Sequence, residues 1–395
     1  MLPTTTIELI KSTVPLLEQH GQAITTRFYA LLFAENPALK HVFNQVNQAR
    51  GEQPRALADA VLAYAKNIDN LAVLLPAVER IANKHASLGI EPRHYPLVGS
   101  SLLAAIQGVL DLPADHPAIA AWGEAYQVLA DIFIGKEESI YAHNEQAPGG
   151  WRGFREFTID KIVSETPEVK SFYLKPSDGG AIPPFKGGQF IGIKTRPQAS
   201  EFDVIRQYSC SGQPGRDYLR ITTKNEVEGL MSGHLHQSTV GTTLLVQAPS
   251  GVFTVNAEAE KHIFVAGGVG ITPLIGMIYE QLQSGVKATD ILLIQCARDR
   301  RQQVLREELS ALQGESAFHF KSCFDEDDGG DHRGYLKAEV LQQWFTEANI
   351  SVDGASAIYF CGPRPFMAAL NQQAQSLGFS EENIHYETFG PTTAL

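Results

Sequence analysis

The stretch Ile263–Met277, IFVAGGVGITPLIGM, decides the fold of the carboxyl-terminal part of the chain. Its uninterrupted apolar run predicts a buried strand, its glycines predict a tight turn, and the rest predicts a helix with Thr272 as N-cap and Pro273 at its first position. Gly268 and Gly270 would let the backbone approach a pyrophosphate at the positive end of this helix. An ordinary tight turn is the alternative, but the strand before it and the capped helix after it favour a nucleotide site.

Strands and helices alternate from Lys261 onward, which predicts a parallel α/β sheet. The predicted strands are IFVAG, ILLIQCA, FHFKSCF and AIYFCG, and the predicted helices are PLIGMIYEQL, RQQVLREEL and PFMAALNQQAQSL. Arg298 follows the second strand, where a cationic side chain can accept the 2′-phosphate of NADPH. NADH and NADPH therefore both stay open, and a plain surface charge is the alternative for Arg298.

The rest of the chain divides into two segments of different character. Residues 1 to about 145 carry apolar residues at spacings of three and four, which predicts helices, and this pattern ends around Tyr141. Asn144–Gly150 (NEQAPGG) is predicted to be a linker. From Trp151 to about Asn256, short β-rich runs predict a small antiparallel barrel. Its predicted strands are FTIDKIV, SFYLKP, QFIGIKT, RQYSCS, YLRITTK and TTLLVQAP.

Composition limits the class of protein. The 395 residues are 44% hydrophobic and 19% charged, which suits two or three globular domains. The net charge of -12 argues against nucleic acid as a partner. The four cysteines form no C-x-x-C pair, so we expect no disulfide framework or zinc knuckle, and a reducing cytoplasm fits. We find no signal sequence and no run of about 18 apolar residues, so no membrane span is expected.

The hexapeptide RQYSCS, Arg206 to Ser211, indicates a flavin site within the barrel. On a strand, Arg206 and Tyr208 face one way, whereas Gln207 and Ser209 face the other. An arginine suits a pyrophosphate and a tyrosine suits the face of a flat ring, as a flavin nucleotide requires. Taken alone, the motif could equally be an ordinary barrel strand.

Further motifs accompany it: GGQF (187–190), GLMS (229–232), GVGITP (268–273), CGP (361–363) and FGP (389–391). With them, residues 151–395 resemble the ferredoxin-reductase-like flavoproteins. That resemblance implies that FAD is held by Phe190, Arg206, Gln207, Tyr208, Ser209, Ser232, Glu387, Phe389, Gly390, Pro391 and Thr392, with Phe389 covering one flavin face. It implies that NAD(P)H is bound by Gly268, Val269, Gly270, Ile271, Thr272, Pro273 and Cys361, with Cys361 near the nicotinamide.

One histidine of the helical segment, His85 in ANKHASLG, needs a separate explanation. Val78, Ile81, His85 and Leu88 share one helix face, so the imidazole points into an apolar interior. The helix face alone favours a core histidine with satisfied hydrogen bonds, and a metal ligand is the alternative.

Tyr29, Phe43, Gln53 and Leu57 change that balance, because with His85 they resemble the pattern of a globin. With the reductase segments behind it, the whole chain resembles a bacterial flavohaemoglobin. This resemblance implies that His85 is the proximal haem ligand and that Phe43 packs on the haem. It implies a distal pocket of Tyr29, Gln53 and Leu57, a relay of Tyr95 and Glu137 behind His85, and Lys84 and Glu387 near the haem–flavin junction. For Lys84 and Glu387, plain surface charges are the alternative.

The resemblance implies an all-α globin domain (1–145), an antiparallel β-barrel FAD domain (151–258) and an α/β parallel-sheet NAD(P) domain (259–395). It implies haem b, FAD and NAD(P)H as cofactors of a nitric oxide dioxygenase that acts on dioxygen and nitric oxide. We expect a monomer, with room for a lipid ligand in the distal pocket. The alternatives are an alkyl or lipid hydroperoxide reductase, a haem-based sensor of oxygen or nitric oxide, and a flavin diaphorase without haem.

Overall fold

The computed structural model describes residues 2–43, 51–113 and 115–390. Helices dominate the first part of the chain, antiparallel strands the second, and alternating strands and helices the third. The helices in these ranges are α1 (Thr4–Ser12), α2 (Val14–Glu35), α3 (Glu52–Lys66), α4 (Leu75–Leu88), α5 (His94–Val109), α6 (Pro117–Gln146), α7 (Leu230–Gln237), α8 (Ile271–Gln283), α9 (Arg306–Ser316), α10 (Ala338–Glu347) and α11 (Arg364–Ser376). The strands are β1 (Arg155–Thr166), β2 (Val169–Pro176), β3 (Phe190–Thr195), β4 (Val204–Ser209), β5 (Leu219–Lys224), β6 (Thr243–Val246), β7 (Lys261–Gly267), β8 (Ile291–Ala297), β9 (His319–Phe324), β10 (His332–Arg333), β11 (Ser356–Cys361) and β12 (Ile384–Glu387).

The helical part packs α2 against α3 and α5, and α6 against α1 and α4. Its apolar residues form two clusters, one around α2 and the other around α4, and Tyr126 packs against both. The last helix, α6, continues to Gln146, so the predicted end at Tyr141 and the linker beginning at Asn144 were wrong. Periodicity fades on the exposed last turns, but the helix stops only before Pro148 and the left-handed Gly149.

In the described part of the middle segment, the strands form one sheet of six in the order β4-β3-β6-β1-β2-β5, with antiparallel neighbours. Just beyond β4, the Ser211 N–H donates to the carbonyl of Arg220 on β5 at 2.8 Å. This bond joins the two ends of the sheet and closes it into the predicted barrel.

The third part contains a parallel sheet, which among the described residues has the order β10-β9-β8-β7-β11-β12. Its central strands are buried on both faces, with one apolar cluster on each side. The all-α, antiparallel and parallel architecture predicted from the sequence is therefore confirmed.

Two local predictions in the parallel-sheet part were wrong. The run RQQVLREEL is not one helix: a 3-10 turn at Arg300–Gln302 is followed by α9, which begins only after Leu305 in the left-handed conformation. Thr272 is not an N-cap, because a 3-10 turn at Gly268–Gly270 runs directly into α8. Its hydroxyl donates to the carbonyl of Val269 at 3.0 Å instead of accepting a backbone N–H.

His262 on β7 should make stability depend on pH. It is 1% exposed, and within the described structure its buried Nδ1 has no hydrogen-bond partner. Burial lowers its pKa from 6.5 to about 4, against the opposing charge of Asp290. As the pH falls below 6.5 the unfolded chain binds the proton first, so stability is lost between pH 6.5 and about 4.

We therefore expect wild type to lose about 2 kcal/mol more than His262→Leu between neutral pH and about pH 5. Urea unfolding midpoints of both chains at the two pH values measure the difference. Equal pH dependence in the two chains would contradict an uncharged buried imidazole.

Across the described ranges, no helix combines the length and apolar character needed to cross a membrane.

Candidate functional site

His85 lies in the last turn of α4, and a buried carboxylate fixes its ring. Its Nδ1 is 2.6 Å from Oε1 of Glu137 on α6, and the hydroxyl of Tyr95 on α5 donates to the same oxygen at 2.5 Å. The side chain of Glu137 is 2% exposed and that of His85 31%. Because the same carboxylate oxygen accepts from Tyr95, we assign the imidazole hydrogen to Nδ1, which leaves the lone pair on Nε2.

The surroundings of this triad hold it in place. The ring of His85 packs on Phe133 with centroids 5.4 Å apart. Tyr126 donates to the carbonyl of Tyr95 at 2.6 Å. Burial, and then the bond to Glu137, raise the pKa of Tyr95, so its phenol keeps its proton. The three helices α4, α5 and α6 therefore present one imidazole nitrogen in a fixed direction.

The predicted distal residue Tyr29 belongs to an aromatic cluster with Phe33 and Phe43 in the helical part. Tyr29 on α2 is 7% exposed, and its ring lies 5.9 Å from Phe33 and 6.0 Å from Phe43. Leu57 on α3 packs against the same apolar cluster, and Gln53 lies half-buried one turn before it. Tyr29 supplies a buried phenol within this apolar lining.

This donor set fits an iron porphyrin. A haem needs one strong axial donor, a partner that orients this donor, and apolar walls that keep water from the iron. His85 with Glu137 supplies the first two, and the joined apolar clusters of the helical part supply the third.

Helix α4 forms hydrogen bonds to the barrel through residues just before and just after His85. Before it, Asn83 Oδ1 accepts from the Gly251 N–H at 2.8 Å. After it, Ser87 Oγ accepts from Gln207 Nε2 at 3.0 Å. Gly192 is required here, because a Cβ at this position would lie 1.8 Å from the Ser87 carbonyl oxygen. A residue of the flavin motif thus bonds directly to the helix that carries the imidazole.

Lys84 on α4 contacts the segment that follows Glu387. The Lys84 ammonium donates to the carbonyl of Gly390 at 3.0 Å. Burial lowers the pKa of Lys84, and the charge of Glu387 opposes this. Burial likewise raises the pKa of Glu387 to about 8, and Lys84 opposes this. Both side chains are partly buried.

The predicted flavin residues lie on the rim of the barrel. Arg206 and Tyr208 project from β4, and burial lowers the pKa of Arg206 and raises that of Tyr208. Phe190 on β3 pairs with the buried Ser209. At the start of α7, Ser232 Oγ accepts from the Glu226 N–H at 3.1 Å. Phe389 is 52% exposed, whereas Pro391 and Thr392 lie outside the described residues.

The glycine turn after β7 packs against the end of β11. A Cβ on Gly270 would lie 2.0 Å from the carbonyl oxygen of Cys361, so only glycine fits. Gly268 adopts a left-handed φ of 53°. Cys361 is fully buried. The predicted dinucleotide residues therefore come together at the carboxyl ends of the neighbouring strands β7 and β11.

A buried charge pair, not predicted from the sequence, joins the barrel to the parallel sheet. Arg220 on β5 is 3% exposed and forms two bonds with the carboxylate of Glu308 on α9, Nη2 to Oε1 at 3.0 Å and Nη1 to Oε2. Tyr279 on α8 donates to the same carboxylate at 2.6 Å. A lone arginine on a strand and a glutamate in a charged helix carry no local signal of pairing.

A helical haem pocket, a flavin barrel and a dinucleotide-binding sheet in one chain define a haem- and flavin-dependent oxidoreductase. Three family profiles match in that order: Globin over residues 26–133, Oxidoreductase FAD-binding domain over 156–255 and Oxidoreductase NAD-binding domain over 264–372.

Full-length relatives share this organisation. The flavohemoprotein of Bacillus subtilis is 41% identical over 100% of this chain and 99% of its own. That of Pseudomonas putida is 42% identical over 98% of each chain. The flavohemoglobin of Malassezia yamatoensis, solved with bound FAD and heme, has a TM-score of 0.88 at 26% identity over 98% of this chain and 100% of its own. The FAD/NAD-binding domain of nitric oxide dioxygenase from Vibrio cholerae has a TM-score of 0.55 at 27% identity, covering 61% of this chain and 100% of its own.

The chain belongs to the flavohemoprotein family. Haem, FAD and NAD(P)H are its cofactors, as predicted, and it is an NAD(P)H-dependent oxidoreductase whose globin part binds small gases such as oxygen.

Proposed function

We propose that this protein is a nitric oxide dioxygenase. The bond between His85 and Glu137 carries the proposal, because a carboxylate behind an axial imidazole favours activation of a gas over its reversible storage. The Vibrio cholerae domain named as part of a nitric oxide dioxygenase supports the proposal from outside the chain. In the proposed reaction, one NAD(P)H, two molecules of dioxygen and two of nitric oxide give two nitrates, NAD(P)⁺ and one proton.

The cofactors supply hydride acceptance at the flavin and one-electron chemistry at the haem, and the protein sets their environment. Behind His85, Glu137 holds the proton on Nδ1 and increases the donor strength of Nε2. Tyr95 keeps Glu137 in position through its own bond to Oε1. In our proposal, His85 would hold the haem iron, and Glu137 and Tyr95 would orient its imidazole.

On the distal side, the phenol of Tyr29 would donate a hydrogen bond to a diatomic ligand, with Gln53 as a second donor. Phe43 would pack against the porphyrin, and Leu57 would keep the pocket apolar. Nitric oxide is small and nearly apolar, so such a pocket admits it while excluding bulk water. The burial of Tyr29 and its ring contacts favour this arrangement.

On the reductase side, Arg206 would bind the flavin pyrophosphate while Tyr208 and Phe389 would cover the two faces of the flavin ring. Displacing the exposed Phe389 would admit the nicotinamide, with Cys361 beside it. Lys84 on α4 and Glu387 at the end of β12 would set the electrostatic environment between flavin and haem.

The test is simultaneous measurement of NADH, dioxygen and nitric oxide consumption by the purified protein, with nitrate as the readout. Nitrate formed in the stoichiometry above supports the proposal. Consumption of NADH without nitrate would refute it, and faster turnover of an alkyl hydroperoxide would favour the reductase alternative. Since the chain has its own flavin and dinucleotide domains, a pure gas sensor is the weaker alternative.

Tyr29→Phe should release dioxygen faster than wild type. Loss of a hydrogen bond to a charged ligand costs about 1.5–3 kcal/mol, so the dissociation rate should rise by about tenfold or more. Flash photolysis or stopped-flow mixing of the oxygenated protein measures this rate. Tyr64→Phe is the matched control, because it removes another buried phenol, which donates to the Ala125 carbonyl. An unchanged rate in Tyr29→Phe would remove its proposed role.

A further inference from the structure

Two free cysteines lie side by side at the carboxyl edge of the parallel sheet. Cys296 is the second-last residue of β8, Cys323 is the second-last residue of β9, and the two are partners in the register of the ladder. Residues paired in this way project their side chains from the same face of a sheet. Cys296 packs against the apolar cluster that contains Cys323. The other neighbour of Cys296 in register is Gly267, immediately before the glycine turn.

The spacing of the strands allows a covalent bond between the two sulfurs. Neighbouring strands lie about 4.7–4.9 Å apart, and disulfides join Cα atoms about 4.4–6.8 Å apart. Closing a bond therefore requires side-chain rotation and not separation of the strands. The remaining cysteines have no such neighbour: Cys210 is in the barrel, and Cys361 is on β11, with β7 between it and β8.

The two thiols differ in pKa and in exposure to solvent. The neighbouring Cys296 thiol lowers the pKa of Cys323, although burial opposes this, and the Cys323 thiol, followed by burial, raises the pKa of Cys296. Cys323 is 1% exposed, and its thiol donates a hydrogen bond to the carbonyl of Gly334 at 3.0 Å. Cys296 is only partly buried. A small oxidant can therefore reach the pair at the sulfur of Cys296, the more exposed of the two residues.

We propose that Cys296 and Cys323 form a dithiol site that a hydroperoxide oxidises to an intrachain disulfide. In the first step the Cys296 sulfur attacks the peroxide, so the O–O bond breaks, an S–O bond forms and the alcohol, or water, leaves. In the second step the Cys323 sulfur attacks this sulfenic acid, an S–S bond forms and water leaves. Overall the two thiols lose two electrons and two protons, and the hydroperoxide is reduced by two electrons.

The experiment treats the purified, cofactor-loaded full chain with one equivalent of hydrogen peroxide. Remaining thiols are then alkylated, and the peptides are mapped by mass spectrometry without reduction. The expected product is a cross-linked peptide pair containing Cys296 and Cys323, lighter by two hydrogens, which dithiothreitol separates. Free, fully alkylated Cys296 and Cys323 after treatment, or sulfinic acids without a cross-link, would overturn the proposal.

Two kinds of control sharpen the result. Cys323→Ser should leave a sulfenic acid at Cys296 that a dimedone probe captures, with no cross-link, whereas Cys210→Ala should cross-link like wild type. Because haem iron can itself consume peroxide, a parallel sample carries cyanide on the iron. The same cross-link there supports direct reaction at the thiols, and its disappearance would overturn that reaction. Neither readout depends on nitric oxide turnover.

Discussion

His85→Ala is expected to give a chain that binds FAD and oxidises NADH but holds no haem. His85 Nδ1 is bound to Glu137, so Nε2 is the nitrogen that can reach the iron, and no other group of this triad is a comparable donor. The barrel and the parallel sheet have their own cores and do not need the imidazole. The Soret band of the purified chain and its NADH-driven reduction of a dye measure the two effects separately.

The matched control for this experiment is His94→Ala. His94 begins α5 only nine positions further along, but its Nδ1 accepts from the Glu91 N–H at 3.0 Å and takes no part in the bonds to Glu137. Its variant should keep the Soret band. If His85→Ala retained a wild-type Soret spectrum, the assignment of the axial ligand would be wrong, whatever the chain does with nitric oxide.

Much of the fold can be predicted from the sequence because it follows from periodicity. Helical spacing in residues 1–145, short β-rich runs after Trp151 and the strand–turn–helix at Ile263–Met277 each reflect local chemistry. Where local chemistry is weak, prediction fails. The four-residue strand β12 was not foreseen, since its alternation is too short to recognise, and the left-handed Leu305 that delays α9 has no signature in RQQVLREEL.

The candidate site is predictable in a different way. His85, Tyr95 and Glu137 lie on three helices, and spacing along the chain cannot bring them together; only the resemblance to a family did so. Their mutual distances in the structure agree with a relay, while the roles themselves await the experiments above. The contact of Ser87 with Gln207 and the pairing of Cys296 with Cys323 depend on tertiary packing, and neither was anticipated from the sequence.

Glu308→Ala is the substitution outside the haem pocket with the largest expected effect. It leaves the guanidinium of Arg220, which is 3% exposed, without its carboxylate, and it removes the acceptor of Tyr279. Breaking a buried ion pair by removing one partner costs about 3–5 kcal/mol. Because the pair joins the barrel to the parallel sheet, hydride transfer from NADH to FAD should slow as well. Unfolding followed by flavin fluorescence and stopped-flow flavin reduction measure the two effects.

Two further variants distinguish the cost of leaving the Arg220 charge unpaired from the stability that the intact ion pair contributes. Glu307→Ala alters the neighbouring, exposed glutamate of α9 and should change stability by no more than about 0.5 kcal/mol. In the double variant Arg220→Met with Glu308→Leu, no charge is left buried, so stability should return towards wild type. If hydride transfer stays slow in this stable double variant, the ion pair positions the two domains for the reaction. If Glu308→Ala alone changed neither stability nor flavin reduction, the pair would have no role in joining them.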